Sequence, residues 1–279
     1  MKKVIRLALA VVFAAVFAFS AWKVVEVLRG YREGAEGYES LEQYVSFVGF
    51  GEHSEKPEAS EDMGNSGEEE TEEIEEMPDL SGWPQVDFEQ LAAVNADVVG
   101  WILIEDTQIN YPVVQGADNS YYLKHTFEGK SNAAGTIFLD AGCAGDFSGE
   151  NSVLYGHHMK NKSMFAGLVK YKKQAFYDAH SQAYLLTPTA YYKIQFFSGY
   201  VSGTAGAAWN IDFGEGEYGQ WLEDIQEKSC FESEYAPTET DRILTLSTCS
   251  YEFTGARFVL HGYISETVKI PGSQKGIGE

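Results

Sequence analysis

The sequence predicts a mainly β domain, a barrel with crossover connections, standing behind an N-terminal apolar helix and an acidic linker. Eight β-prone runs at irregular spacing fill the chain from residue 98 onward, and two helical patterns are inserted among them. Many short strands of uneven spacing fit a closed sheet better than an alternating α/β fold. Everything before residue 80 reads as export and tether segments.

At 279 residues and 44% hydrophobic, with 17 Tyr and 17 Phe, the chain holds enough apolar surface for one sizeable core. Its formal charge of −22 argues against nucleic acid, because phosphate binding needs clustered Lys and Arg.

Lys2, Lys3 and Arg6 precede an apolar run over residues 7–22, after which Lys23, Glu26 and Arg29 return the chain to water. With Val4 and Ile5 the run reaches the roughly 20 residues a spanning helix needs. Residues 1–23 are therefore read as a membrane anchor. Ala18-Phe19-Ser20, a small-x-small site, supports a cleaved signal peptide as the alternative. In either case the positive N-terminus stays cytoplasmic and the rest is exported.

Residues 24–44 continue a helical pattern that Gly30, Gly34 and Gly37 weaken. Residues 52–79 carry thirteen acidic residues against Lys56 alone, too polar to offset their ordering entropy. They read as an extended spacer lifting the domain off the membrane, so residues 24–79 form the juxtamembrane and linker unit. The globular unit, residues 80–279, opens with Trp83, Phe88, Leu91 and Val94, with Asp87 capping a short helix.

Strands are expected at 98–104, 108–114, 136–139, 152–155, 184–186, 191–201, 242–248 and 257–264. Helices are expected at 164–169 and 218–228.

Chemistry is sought first among the three cysteines, Cys143, Cys230 and Cys249. Their odd count without CxxC spacing supports neither a disulfide framework nor zinc. Cys249 ends a β-prone run, where a scaffold presents side chains outward. A thiolate needs a nearby cation or hydrogen-bond donors, and a group to protonate the leaving amine. Arg257, near the start of the returning strand, is a fixed cation able to hold developing negative charge. His157 follows the run 152–155 at Gly156, which allows a sharp exit, while His158 is expected to point elsewhere. No HxH or HExxH spacing marks a metal site, and no cofactor is expected. A structural thiol in a non-catalytic, membrane-anchored wall-binding domain remains an alternative at this point.

Thr245-Leu246-Ser247-Thr248-Cys249 followed by Arg257 resembles the TLxTC…R signature of sortases, the cysteine transpeptidases that attach surface proteins to the cell wall. Val98-Val99-Gly100-Trp101-Ile102, the stretch 109–116 with Asp118-Asn119-Ser120-Tyr121-Tyr122-Leu123, and Tyr155-Gly156-His157-His158-Met159 with Met164-Phe165 are similar to blocks of class B. The resemblance implies an eight-stranded closed barrel with N-terminal helices and an inserted helix. It implies Cys249 as nucleophile, His157 as general acid and base, and Arg257 as the oxyanion-stabilising cation, with the Ser250 N–H completing the oxyanion hole. Asn119, Leu123 and Ser247 match positions that contact the sorting signal, and the loop at 209–213 is expected to wall the groove. The implied partners are sorting-signal-bearing surface proteins and a peptidoglycan precursor amine, met by a domain facing the wall from the membrane. A thiol peptidase using water as acceptor is the rival within the same chemistry.

Overall fold

Eight strands close on themselves in the computed structural model, which describes residues 2–47 and 78–270. In chain order the elements are α1 (Lys2–Leu41), β1 (Val45–Phe47), β2 (Pro84–Val86), α2 (Phe88–Val94), β3 (Val98–Leu103), β4 (Asn110–Val114), β5 (Ile137–Leu139), β6 (Asn151–Tyr155), α3 (Gln174–Ala179), β7 (Gln182–Leu186), β8 (Ala190–Ser202), α4 (Glu217–Glu227), β9 (Ile243–Cys249) and β10 (Arg257–Lys269). Around the barrel the order is β10-β8-β7-β3-β4-β5-β6-β9, with β9 returning to β10. Each of the eight runs recognised in the sequence supplies one barrel strand.

Two pairings, β4 with β5 and β6 with β9, are parallel, and the others are antiparallel. Parallel neighbours cannot be joined by a hairpin. The chain therefore makes one long loop between β4 and β5, and one long excursion through α3, β7, β8 and α4 between β6 and β9. Those two connections carry most of the residues around the site.

Alternation along β9 separates two cores. Leu244 and Leu246 face the barrel interior with Phe138, Leu154, Phe196, Phe258 and Leu260. Ile243 faces outward with Val259, Phe197 and Tyr200, beneath Tyr218, Trp221, Leu222 and Ile225 of α4. The period of two then places Thr245, Ser247 and Cys249 on that outer face as well. The residues beneath α4 and the residues at the site thus share one strand face.

Local signals account for the smaller elements. Asp87 caps α2 by accepting from the Gln90 N–H at 2.9 Å. The helical pattern at 164–169 appears as a 3-10 helix, Phe165–Lys172.

The N-terminal region departs from its sequence reading. Helix α1 runs unbroken through Gly30, Gly34 and Gly37, because its last turns are packed on the domain and tertiary contact offsets weak propensity. The Asn132 Nδ2 donates to the Gly30 carbonyl at 3.0 Å. A Cβ on Gly34 would meet Asn132 and Ala134 at 3.3 and 3.4 Å, so glycine permits the close approach. Tyr38 and Leu41 are buried in the main core.

Beyond α1, β1 pairs antiparallel with β2, and Phe47 stands opposite Pro84. Residues 48–77, which hold most of the acidic run, lie outside the described residues. The β1–β2 pairing brings the two ends that flank them together. The spacer expected over 52–79 therefore lies, but for its last two residues, outside the described residues.

Candidate active site

Strand pairing assembles the three candidate residues at one end of the barrel. Cys249 is the last residue of β9 and Arg257 the first of β10, and the two are directly opposite in register. The Ser250 N–H donates to the Ala256 carbonyl at 2.9 Å, the bond expected just beyond a non-hydrogen-bonded pair. In such a pair the Cα atoms are only about 4.5 Å apart and the side chains leave the same face.

His157 arrives from the other side of β9. Tyr155 on β6 is in register with Ser247, and the pairing continues through Gly156 N–H to Ser247 O at 3.1 Å and Thr248 Oγ1 to Gly156 O at 2.8 Å. His157 and Cys249 each stand two residues past that registered pair, on the same face of adjacent strands. Gly156 is required here for space rather than for an unusual φ. A Cβ there would come within 2.5 Å of Ile137 and 2.7 Å of Phe165.

The His157 ring is oriented by Nε2, which lies 2.8 Å from the carbonyl oxygen of Leu123. A carbonyl only accepts, so Nε2 carries a proton in this arrangement and Nδ1 is left for exchange. Leu123 therefore meets the site through its backbone carbonyl. His158 points elsewhere than His157, as expected. Its Nδ1 donates to the carbonyl of Cys249 at 2.9 Å, and its ring packs on Tyr251. It holds the backbone of the candidate nucleophile.

Arg257, Tyr155, Ser247, Thr204 and Trp209 line a cavity of about 280 Å³ beside Cys249. The Trp209 Nε1 donates to Ser247 Oγ at 2.9 Å, while Trp221 of α4 donates to the Ala207 carbonyl at 2.8 Å. Helix α4 thus holds the short turn that stands Trp209 over the strand. Arg257 donates to the Ala256 carbonyl at 3.1 Å, which leaves the rest of its guanidinium toward the cavity.

Asn119 is engaged at both ends of its amide. Its Oδ1 accepts from the Ala141 N–H at 2.8 Å and its Nδ2 donates to Asp140 Oδ2 at 2.9 Å. The Tyr155 hydroxyl donates to the same carboxylate oxygen at 2.8 Å; burial, reinforced by Asp140, pushes its pKa up. Tyr155 and Asp140 were missed from the sequence. Strand period could have found Tyr155, which stands two residues before His157 and shares its face.

Ser250 takes a different part from the one expected. Its N–H is occupied by Ala256 O, so the loop 250–256 closes on itself and that amide is not free to serve an oxyanion. Its hydroxyl accepts from Lys172 Nζ at 3.1 Å. Lys172 also pairs with Glu252, whose carboxyl is held down to about 2 by that hydrogen bond and by the one to Ser250.

The sortase domain family matches residues 102–265, more than half of the chain. Sortase B of Staphylococcus aureus is 37% identical over 186 residues, covering 66% of this chain and 75% of that protein. A solved S. aureus sortase B–substrate complex is 37% identical, covers 65% of this chain and 84% of its own, and superposes with a TM-score of 0.61. A sortase B crystallised with triglycine is 36% identical, with coverage of 65% and 85% and a TM-score of 0.60. With its closed eight-stranded barrel and these matches, the chain belongs to the sortase family, in class B.

Proposed function

We propose that this chain cleaves a C-terminal sorting motif after Thr and transfers the acyl group to a cell-wall amine through a thioester on Cys249. The observation that carries the reading is the register of three neighbouring strands, which sets Cys249 between Arg257 on β10 and His157 just past β6. The Cys249 thiolate attacks the Thr carbonyl, and the guanidinium of Arg257 stabilises the oxyanion. With the Ser250 amide occupied, this cation is the oxyanion partner supported by the geometry. His157 protonates the departing amine as the C–N bond breaks, leaving the thioester. It then takes a proton from the incoming amine, whose attack releases the thiolate. Asn119, Leu123, Ser247 and the Trp209 wall border the channel in which the sorting peptide lies.

Helix α1 is long and apolar enough to cross a membrane, and among the described residues its large apolar side chains from Ile5 to Leu28 are exposed, as a bilayer-facing helix requires. From Trp22 to the first contact with the domain at Gly30 the helix rises about 12 Å. A domain placed outside the cell would therefore sit against the membrane surface, facing the wall. The basic N-terminus favours this orientation.

The test is to incubate the full chain with a peptide library built around a central Thr and with triglycine as amine, and to sequence products by mass spectrometry. Glycine-extended products cut after Thr are the expected outcome. Free acids alone would assign a hydrolase, and no cleavage by an intact protein would remove the catalytic reading.

A further inference from the structure

Tyr38, in the last turns of α1 and well before the matched domain, stands at the head of two contact routes that converge on His157. The first runs through its hydroxyl. Tyr38 donates to the Gly135 carbonyl and lies 3.1 Å from Thr136 Oγ1, which itself donates to His125 O at 2.8 Å. Gly135 has φ +60° and is pressed against the carbonyls before it. A Cβ there would stand 2.4 Å from Tyr122 O and 3.0 Å from Leu123 O. Leu123 O is the acceptor for His157 Nε2.

The second route runs through the ring. Tyr38 meets Tyr111 edge to face, with centroids 5.4 Å apart. The Tyr111 hydroxyl accepts from the Met164 N–H at 3.0 Å, and the next amide, Phe165 N–H, donates to the His157 carbonyl at 3.0 Å. Met164 is held at φ +57°, a conformation that a bulky residue keeps only when its neighbours enforce it.

One buried side chain of the N-terminal helix therefore supports the carbonyl that orients the imidazole and the segment that holds the His157 backbone. We propose that Tyr38 is a positioning residue for transpeptidation, keeping His157 in its Nε2–H form through Gly135 and Leu123, so that the helix outside the catalytic domain is part of the working site. Close packing passes such a constraint because Gly135 lies so near the Tyr122 and Leu123 carbonyls that not even a Cβ would fit between them, and the next amide, Thr136 N–H, donates to Tyr122 O at 2.9 Å. The inference rests on His157 acting as acid and base.

The experiment uses the full chain in lipid nanodiscs, labelled with ¹⁵N-histidine, comparing wild type with Tyr38→Phe, which keeps the ring on Tyr111 and removes the hydroxyl. The imidazole ¹⁵N shifts report the tautomer of His157, with His158 and His261, both bonded through Nδ1, as internal references. Transfer is followed with the Thr-centred library and triglycine. The expected result is loss of the Nε2–H preference at His157 alone and a fall in kcat of about three- to tenfold, with KM unchanged. Tyr191→Phe, which removes another buried hydroxyl, one that accepts from the Val86 N–H, is expected to lower Tm without either effect. Should Tyr38→Phe fail to fold, Thr136→Val probes the same relay. A folded Tyr38→Phe with the wild-type tautomer and kcat overturns the proposal. Wild-type transfer by His157→Ala would instead overturn the acid–base reading on which it stands.

Discussion

His158 donates its Nδ1 proton to the carbonyl oxygen of Cys249 at 2.9 Å, so the histidine next to the candidate acid and base holds the candidate nucleophile by its backbone. The bond crosses from the segment after β6 to the end of β9 and closes the parallel pairing where the strands stop. His158→Ala is expected to lower kcat by about tenfold with little change in KM, because one hydrogen bond that fixes the thiol is lost. His157→Ala, which removes proton transfer itself, is expected to cost about 10²- to 10⁴-fold. Steady-state kinetics on both variants check the order, and a silent His158→Ala contradicts the positional role.

Cys249→Ala is expected to abolish acyl-enzyme formation, read as the absence of a peptide adduct by intact-protein mass spectrometry. Arg257→Lys keeps the charge but loses the planar fork, and kcat should fall by about 10²-fold. Equal activity of Arg257→Lys and wild type would mean that the guanidinium does not meet the oxyanion.

Trp209→Phe keeps the apolar wall and removes the donor to Ser247 Oγ. KM for the sorting peptide is expected to rise about three- to tenfold with a smaller change in kcat. A fall confined to kcat would place Trp209 with the chemistry rather than the groove.

His261 is fully buried under α4, with Nδ1 on Thr245 Oγ1 at 2.8 Å, and burial with a smaller effect of Lys228 lowers its pKa to about 3. The unfolded chain takes up a proton near pH 6.5 that the folded chain refuses. Stability from this group is therefore complete above about pH 6.5 and is lost as pH falls toward about 3. The slope is at most about 1.4 kcal/mol per pH unit. His261→Gln should remove that part of the slope, measured as Tm from pH 7.5 to 4. Parallel curves for the two proteins would show that His261 is protonated in the folded state.

The barrel strands were legible because each is a β-prone run long enough to show its pattern, and the candidate site was legible because its residues sit in short motifs at strand ends. β1 and β2 were not, since each is three residues long and their pairing spans the acidic segment. No local signal announces a partner so far along the chain. Gly156 was recognised as special for the wrong reason: its constraint is the crowding of Ile137 and Phe165, which only packing supplies.

By itself the sequence determined the strand set, the apolar helix, and the candidate trio Cys249, His157 and Arg257, because periodicity and motif spacing are local properties of the chain. Tertiary structure alone decided that α1 docks on the domain through Tyr38 and that β1 finds β2 as its partner. It also decided that the Ser250 amide is occupied and that His158 grips the Cys249 carbonyl. Each of these depends on where a donor finds an acceptor or where a buried ring finds room. Those partners come from distant parts of the chain, brought together only when the barrel closes.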